Sequence, residues 1–511
     1  MKKIIHLFSK YIYRNLLVAS FLILFGVSLQ AQNFSIPIDT TITTSDVITI
    51  KGEEVPYDVH VGTQPVFDVD KGEITASLFY TYYERNDVED NSTRPIFFSF
   101  NGGPGAASLW MHVGYTGPKK LIIDDEGYPI QPYGVVDNPH SILDVADIVF
   151  VNPVNTGFSR MTEHGEHEDF FGVNEDLEYL ADWIDTFVSR SKRWRSPKYL
   201  IGESYGTSRV AGLAGLLQRD PNRTNSNWMF LNGVILVSPT GLGLDPEGPT
   251  PRASVLKLPY YTATAWHHEK LPDELQNREL LDLLDEVEEY TVRKFLPALT
   301  YGGFIDEDEK HEVAEKVAYY SGLSEQFVLD YNLAVPASAF WKELLRDEGY
   351  TIGRLDSRYK GIDKVNAGES IDFPPEYLSW KHSFTPAINY YLRDVLGFET
   401  DLQYNVRGPV HPWNREGEQT GEMLRGAMAQ NPYLHVMVQS GYYDGATDYF
   451  TAKYVMWNLD PSGKMKDRFN FEGYKSGHMM YLRAEDLETS NEDIREFIKK
   501  STPEPGAPAR Y

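Results

Sequence analysis

Apolar and polar residues alternate through Val47-Ile48-Thr49-Ile50 and again from Ile74 to Tyr83, which predicts strands at an antiparallel sheet edge. From Pro95 the texture changes to short, continuous apolar runs at residues 96–100, 147–151, 198–201, 234–237 and 434–438. Between the second and third runs, residues 174–190 place Leu177, Leu180, Trp183, Ile184 and Phe187 at helical spacing on one face. Short apolar strands alternating with helices imply a parallel sheet covered on both sides. The fourth and fifth runs are separated by roughly 195 residues, too many for a structureless connection. That interval has helical stretches at 272–292, 308–320, 325–333 and 336–348, and reads as a mostly helical cap inserted over the strand ends. The last strand and a closing helix near 490–500 return to the sheet. The class is α/β, and the expected division is 1–31, 32–240, 241–430 and 431–511: leader, core, insertion, core.

The N-terminus sets the expected compartment. Lys2, Lys3, Lys10 and Arg14 precede an apolar stretch from Leu16 to Leu29, and Leu29-Gln30-Ala31 ends in a small residue. This pattern is that of a secretory signal peptide, with a mature chain starting near Gln32 in the periplasm or outside the cell. The apolar run is shorter than the roughly 20 residues a spanning helix needs, so no membrane anchor is expected after cleavage. With no Cys, neither a lipid anchor nor a disulfide is available. The roughly 480 residues that remain can bury a core large enough to need no covalent staple. Losing the leader's four cations takes the formal charge from −26 to −30, which argues against a nucleic-acid partner.

Chemistry is concentrated in two glycine-rich turns that each follow an apolar run. Gly202-Glu203-Ser204-Tyr205-Gly206 satisfies G-x-S-x-G, with Tyr199-Leu200-Ile201 as the strand before it and residues 207–217 as the helix after it. Such a turn presents the serine hydroxyl at the C-terminal edge of a sheet, making Ser204 the candidate nucleophile of an α/β-hydrolase. The second turn is Asn101-Gly102-Gly103-Pro104-Gly105. Acyl transfer needs preorganised N–H donors for the tetrahedral oxyanion; Gly103 and Tyr205 are the candidates, because Pro104 has no N–H. No Lys with Ser or Thr follows to make the loop a phosphate cradle.

A serine hydroxyl also needs a base, and the fold's chain order puts an acid and then a histidine after the serine. Of 13 His, only His382, His411, His435 and His478 follow the helical bulk of the insertion. His435 lies inside an apolar run, and His382 and His411 follow no strand of the sheet. His478 lies in the loop beyond the strand-like Arg468-Phe469-Asn470-Phe471, where a catalytic imidazole can reach the turn. For the acid, the run at 434–438 leads into Asp444, while Asp448 falls where a helix begins and is the weaker candidate. Clusters such as His267-His268, or His164 and His167 with Glu163, Glu166 and Glu168, read as solvated polar surface. The mechanism calls for neither metal nor cofactor.

Together, Asn101-Gly102-Gly103-Pro104-Gly105, Thr156-Gly157-Phe158-Ser159, the Ser204 turn, Ser440-Gly441…Asp444 and Gly477-His478-Met479 resemble the serine carboxypeptidase family in order and spacing. Ala106 stands where the family usually has a half-cystine, so the resemblance is to a bacterial, disulfide-free branch. It implies Ser204, Asp444 and His478 as the triad, Gly103 and Tyr205 as oxyanion donors, and Asn101 with Glu203 as the seat of a peptide's terminal carboxylate. A second Glu normally lies downstream of the first loop; Tyr115 of Tyr115-Thr116-Gly117-Pro118 stands there, and is expected to serve as a neutral donor in its place. The function expected is a serine-type carboxypeptidase acting on peptide substrates. The alternatives are an esterase, amidase or acyltransferase with the same triad, or a catalytically silent binding protein of the same fold.

Overall fold

The structure is a computed structural model describing residues 36–218, 228–244, 252–504, 506 and 508. The expected signal peptide, 1–31, lies outside the described residues.

The strands that build the sheet are β1 (Thr40–Ile50), β2 (Glu53–Asp68), β3 (Glu73–Arg85), β4 (Ile96–Phe100), β5 (Asp147–Val151), β6 (Lys198–Glu203), β7 (Gly233–Val237), β8 (His435–Gly441) and β9 (Phe469–Tyr474). They lie in the order β1-β2-β3-β5-β4-β6-β7-β8-β9, and a short strand, Arg160–Met161, adds to β3. β1, β2, β3 and β5 pair antiparallel, and every neighbouring pair from β5 to β9 is parallel. The alternating N-terminal segments thus form the antiparallel edge and the continuous apolar runs form the parallel centre. The arrangement is that of an α/β-hydrolase fold, a mostly parallel mixed sheet with helices on both faces.

Period-2 alternation divides the strands between two cores. On one face lie Phe97, Tyr199, Ile201, Ile235 and Val237; on the other lie Phe98, Phe100, Leu200, Val234 and Leu236. The principal helices are α1 (Leu109–Gly114), α2 (Val173–Arg190), α3 (Tyr205–Gln218), α4 (Leu258–His267), α5 (Leu280–Tyr290), α6 (Glu307–Ser321), α7 (Ala337–Glu343), α8 (Pro375–Tyr390), α9 (Thr420–Gln430), α10 (Tyr449–Leu459) and α11 (Ala484–Ser501). The first core takes its covering residues from α1, α8 and α11. The second takes its covering residues from α2, α3, α9 and α10.

The helical interval between β7 and β8 does not share one core. Helices α4 to α7 bury Leu258, Leu283, Val287, Val317 and Phe340 in a cluster of their own that ends at Ile352. By contrast, Phe384 and Ile388 of α8, and Tyr404 and Val406 beyond it, join the first face of the sheet. Leu424 and Met428 of α9 join the second. The stretch expected as one helix at 272–292 is interrupted, with helical residues at Asp273–Gln276 and again over α5.

Candidate functional site

The loops at the C-terminal ends of β4, β6, β7, β8 and β9 meet around Ser204. β6 runs straight into α3, and Ser204 between them takes φ +57, a left-handed conformation that non-glycine residues rarely adopt. Strain of this kind at a strand–helix turn persists only when its surroundings over-determine it. The backbone does so here: Ser204 N–H donates to Val237 O at 2.9 Å, and Thr207 N–H donates to Ser204 O at 2.9 Å. Ser204 is half-buried.

The Asn101–Gly105 loop comes within touching distance of this turn, and only glycine permits it. A Cβ on Gly102 would stand 2.5 Å from Tyr205 N and 2.9 Å from Ser204 Cβ. No acceptor among the described residues takes the backbone N–H of Gly103 or of Tyr205. Stabilising an oxyanion calls for two unengaged N–H donors of this kind.

Asp444 and His478 are brought together. His478 Nδ1 lies 2.7 Å from Asp444 Oδ2, with both side chains buried. The other carboxylate oxygen of Asp444 accepts the N–H groups of Ala446 at 2.8 Å and Thr447 at 3.1 Å. Thr447 Oγ1 lies 2.7 Å from Asp444 Oδ2 and 2.9 Å from Ser238 O. Ser238, the residue after β7, donates its hydroxyl to His478 O at 2.8 Å. One residue therefore ties the acid and base loops to the strand that also receives Ser204 N–H. No hydrogen bond joins Ser204 Oγ to His478 among the described residues; such bonds are often long before substrate arrives.

Burial works against charge on His478, but Asp444 and then Glu203 outweigh it and raise the imidazole's pKa. Burial likewise opposes charge on Asp444, and the imidazole with the Thr447 hydrogen bonds overcomes it, holding the carboxyl below its ordinary value. An ionised acid that stabilises the imidazolium is the arrangement a serine's general base needs.

Glu203 shares its side of the sheet with Tyr199 and Ile201, so its carboxyl enters an apolar layer and is 4 % exposed. Burial raises its pKa, opposed by His478 and by the Tyr481 hydroxyl. Asn101 is fully buried; its Oδ1 accepts the N–H of Met111 at 3.0 Å, while its Nδ2 has no partner of good hydrogen-bond geometry. The orphaned amide lies near enough to Glu203 to help oppose the rise in its pKa.

Tyr115 departs from expectation. It is fully buried, but its hydroxyl turns away from Glu203 and donates to Gln439 Oε1 at 2.7 Å. The hydroxyl that reaches Glu203 Oε2 belongs to Tyr481, whose ring stacks on Tyr115 with centroids 4.7 Å apart. Side-chain direction at the end of α1 decides this, and no spacing in the sequence reports it. The remaining histidines stay outside: His382 and His411 are exposed, and His435 faces Tyr433 O at 2.9 Å. Asp448 caps α10 by accepting from Thr451 N–H at 2.8 Å and pairs with Lys257.

Two further supports were not anticipated. Arg209, five residues after Ser204 on α3, is fully buried against Asp176 of α2, with Nε to Oδ2 at 2.7 Å. Its remaining nitrogens donate to Asn101 O at 2.8 Å and Pro104 O at 3.4 Å, pinning the glycine loop. A lone Arg in a helix otherwise dense in Ala, Gly and Leu was the available signal. The second support is the stretch 354–357, between the separate helical core and α8. Arg354 O accepts Gly445 N–H at 3.0 Å, Leu355 O accepts His478 N–H at 2.6 Å, and Ser357 N–H donates to Tyr443 O at 3.0 Å. It clamps both the acid and the base loop. Among the described residues, no group of three or more His, Asp or Glu is placed to hold a metal ion, and no helix is long and apolar enough to cross a membrane.

The profile of the serine carboxypeptidase family matches residues 67–242, which include both glycine turns but end before Asp444 and His478. Serine carboxypeptidase-like 36 of Arabidopsis thaliana is 28% identical over 168 residues, 32% of this chain and 32% of that protein. The human retinoid-inducible serine carboxypeptidase is 30% identical over 140 residues, 27% of this chain and 28% of its own. The matched stretch thus spans about a third of the length of these curated relatives. Among solved structures, that of Kex1(delta)p, a prohormone-processing carboxypeptidase from Saccharomyces cerevisiae, superposes with a TM-score of 0.54. That alignment covers 87% of this chain and 92% of that one at 15% identity, a likeness of fold.

Proposed function

We propose that this chain, which matches the serine carboxypeptidase family over residues 67–242, is a serine-type carboxypeptidase releasing C-terminal residues from peptides through an acyl-enzyme on Ser204. In this reading Ser204 Oγ attacks the last peptide carbonyl while His478 Nε2 takes its proton. Asp444 fixes Nδ1–H of the imidazole and stabilises the cation that forms. The N–H groups of Gly103 and Tyr205 receive the developing oxyanion. His478 then gives the proton to the leaving amine, and a water activated by the same imidazole releases the shortened peptide.

The observation that carries peptide C-termini over other acyl groups is the buried carboxyl of Glu203, directly before the nucleophile and beside the Asn101 amide, whose Nδ2 has no partner of good hydrogen-bond geometry. A substrate carboxylate is repelled by ionised Glu203 and accepts a hydrogen bond from the neutral acid. Because burial raises the Glu203 pKa, the proton is retained further toward neutrality, and cleavage of free-acid peptides falls as pH rises through that value. Ester hydrolysis at the same serine needs only neutral His478 and should not show this fall.

A second reading, an esterase, amidase or acyltransferase, draws on Tyr115 standing where a second Glu is expected, so that one carboxyl rather than two meets the ligand, with the Tyr115 hydroxyl engaged by Gln439. Export, with a mature chain beginning near Gln32 in the periplasm or outside the cell, is proposed from the leader pattern alone.

A fluorophosphonate probe tests the chemistry. Peptide mapping should find a stoichiometric adduct on Ser204, lost in Ser204→Ala; no labelling of the wild-type protein would overturn the proposed catalysis.

A further inference from the structure

We propose that Tyr481 is a positioning residue for carboxylate recognition: its hydroxyl occupies one oxygen of Glu203, directing the other oxygen, together with the Asn101 amide, at the ligand. This rests on the carboxypeptidase reading above and assigns a specificity role within it.

The argument starts from the number of protons. A phenol has one, and Tyr481 is fully buried beside Glu203, both of which push its pKa well above the ordinary tyrosine value. It therefore remains a donor across the working pH range, and Glu203 Oε2 must accept. When Glu203 is a neutral acid, its proton is thereby confined to Oε1. A neutral carboxyl with a free choice of oxygen would present the wrong one for part of the time. The neighbouring Asn101 Nδ2, buried close to Glu203 and Tyr481 but with no partner of good hydrogen-bond geometry, is a second donor short of an acceptor. Buried donors are rarely left unpaired, because each costs about 1–3 kcal/mol. A terminal carboxylate has two oxygens, one for each donor.

The phenol is held rigidly enough for this task. Its ring lies on Tyr115 at an interplanar angle of 10°. Tyr115 is fixed in turn through Gln439, whose Nε2 donates to Tyr474 Oη at 2.9 Å; Tyr474 donates to Asp493 Oδ2 at 2.7 Å. The chain of bonds runs from the stack across β8 and β9 to α11. Space for the ring depends on Gly114, where a Cβ would stand 2.9 Å from Tyr481 Cε2.

The test compares wild type, Tyr481→Phe and Tyr115→Leu on one peptide as its free acid and as its C-terminal amide, with kcat and KM measured across pH. In Tyr481→Phe, KM for the free acid should rise about tenfold while kcat changes less. Loss of a bond that favours ionised Glu203 should also move the alkaline limb of kcat/KM to higher pH. Tyr115→Leu removes the stack and should move both readouts in the same direction. In a Glu203→Gln background the limb should be absent and Tyr481→Phe should add no shift. Wild-type preference for the free acid, with KM and limb unmoved in both tyrosine variants, overturns the role of Tyr481 and leaves the carboxypeptidase reading standing. Equal cleavage of acid and amide by wild type overturns both.

Discussion

Arg209→Met tests whether the Asn101–Gly105 loop, the proposed oxyanion loop, is held by a buried charge. The guanidinium is fully buried and bonds to Asp176 and to the carbonyls of Asn101 and Pro104. Removing it leaves Asp176 buried with, among the described residues, only the Tyr179 hydroxyl as a side-chain donor, 2.9 Å from Oδ1. Breaking one side of such a pair costs about 3–5 kcal/mol, a large share of the about 5–15 kcal/mol typical of a folded protein. The sign of the pH dependence follows from Asp176. Burial already raises its pKa, with Arg209 opposing. Without Arg209 the native carboxyl holds its proton to higher pH than the unfolded chain does, so the loss of stability grows as pH rises from about 4 upward. Freed from its two carbonyl anchors, the loop should also lose its aim, and loss of one oxyanion donor lowers kcat by about 10²–10³. Urea unfolding at pH 5 and pH 8 would measure the first effect, and kcat on an activated ester the second. The double variant Asp176→Leu/Arg209→Met should recover stability, since apolar replacement of a buried pair is often neutral, but not kcat. A loss below about 1 kcal/mol, equal at both pH values and with kcat intact, would refute the reasoning.

Asp444→Asn should leave the fold in place and lower kcat by about 10⁴, because the amide stabilises the wrong tautomer of His478; a loss under tenfold would remove Asp444 from the triad. Glu376 of α8 accepts Leu355 N–H at 2.6 Å beneath the segment that clamps His478, and burial pushes its pKa up to about 7 from the usual 4.5. The native state thus keeps a proton that the unfolded chain loses, and stability falls between those two pH values by about 3 kcal/mol. Glu376→Gln should flatten that part of the stability–pH curve; an unaltered slope would show that the carboxyl does not titrate there.

Much of the fold was legible because the parallel strands are continuous apolar runs and residues 174–190 carry a strong helical stripe. The Ser204 turn was legible because its glycines, its strand and its helix are consecutive in sequence. Helices α4 and α8 were not anticipated: Pro259 opens the first, and Pro375 and Pro386 lie within the second, so proline punctuation hid elements that tertiary packing sustains. Those same residues explain why the insertion was expected as one body, since nothing in the periodicity says that α8 and α9 lie on the sheet. At the site, residue types could be named but not aimed. Tyr115 was expected to face Glu203, yet its hydroxyl goes to Gln439 and Tyr481 takes the place beside the carboxyl. The Arg209–Asp176 pair joins residues of two helices that lie 33 positions apart in sequence, a distance over which no local pattern speaks.

The claim that Ser204 serves peptide C-termini is tested most directly by kcat/KM on the acidic side of the pH profile, where Glu203 holds its proton, for one peptide presented as its free acid and as its C-terminal amide. Neutral Glu203 and the open amide of Asn101 predict that the free acid is preferred by about 10²-fold or more, the worth of two buried hydrogen bonds to a charged group. Equal rates on the two forms would contradict the account.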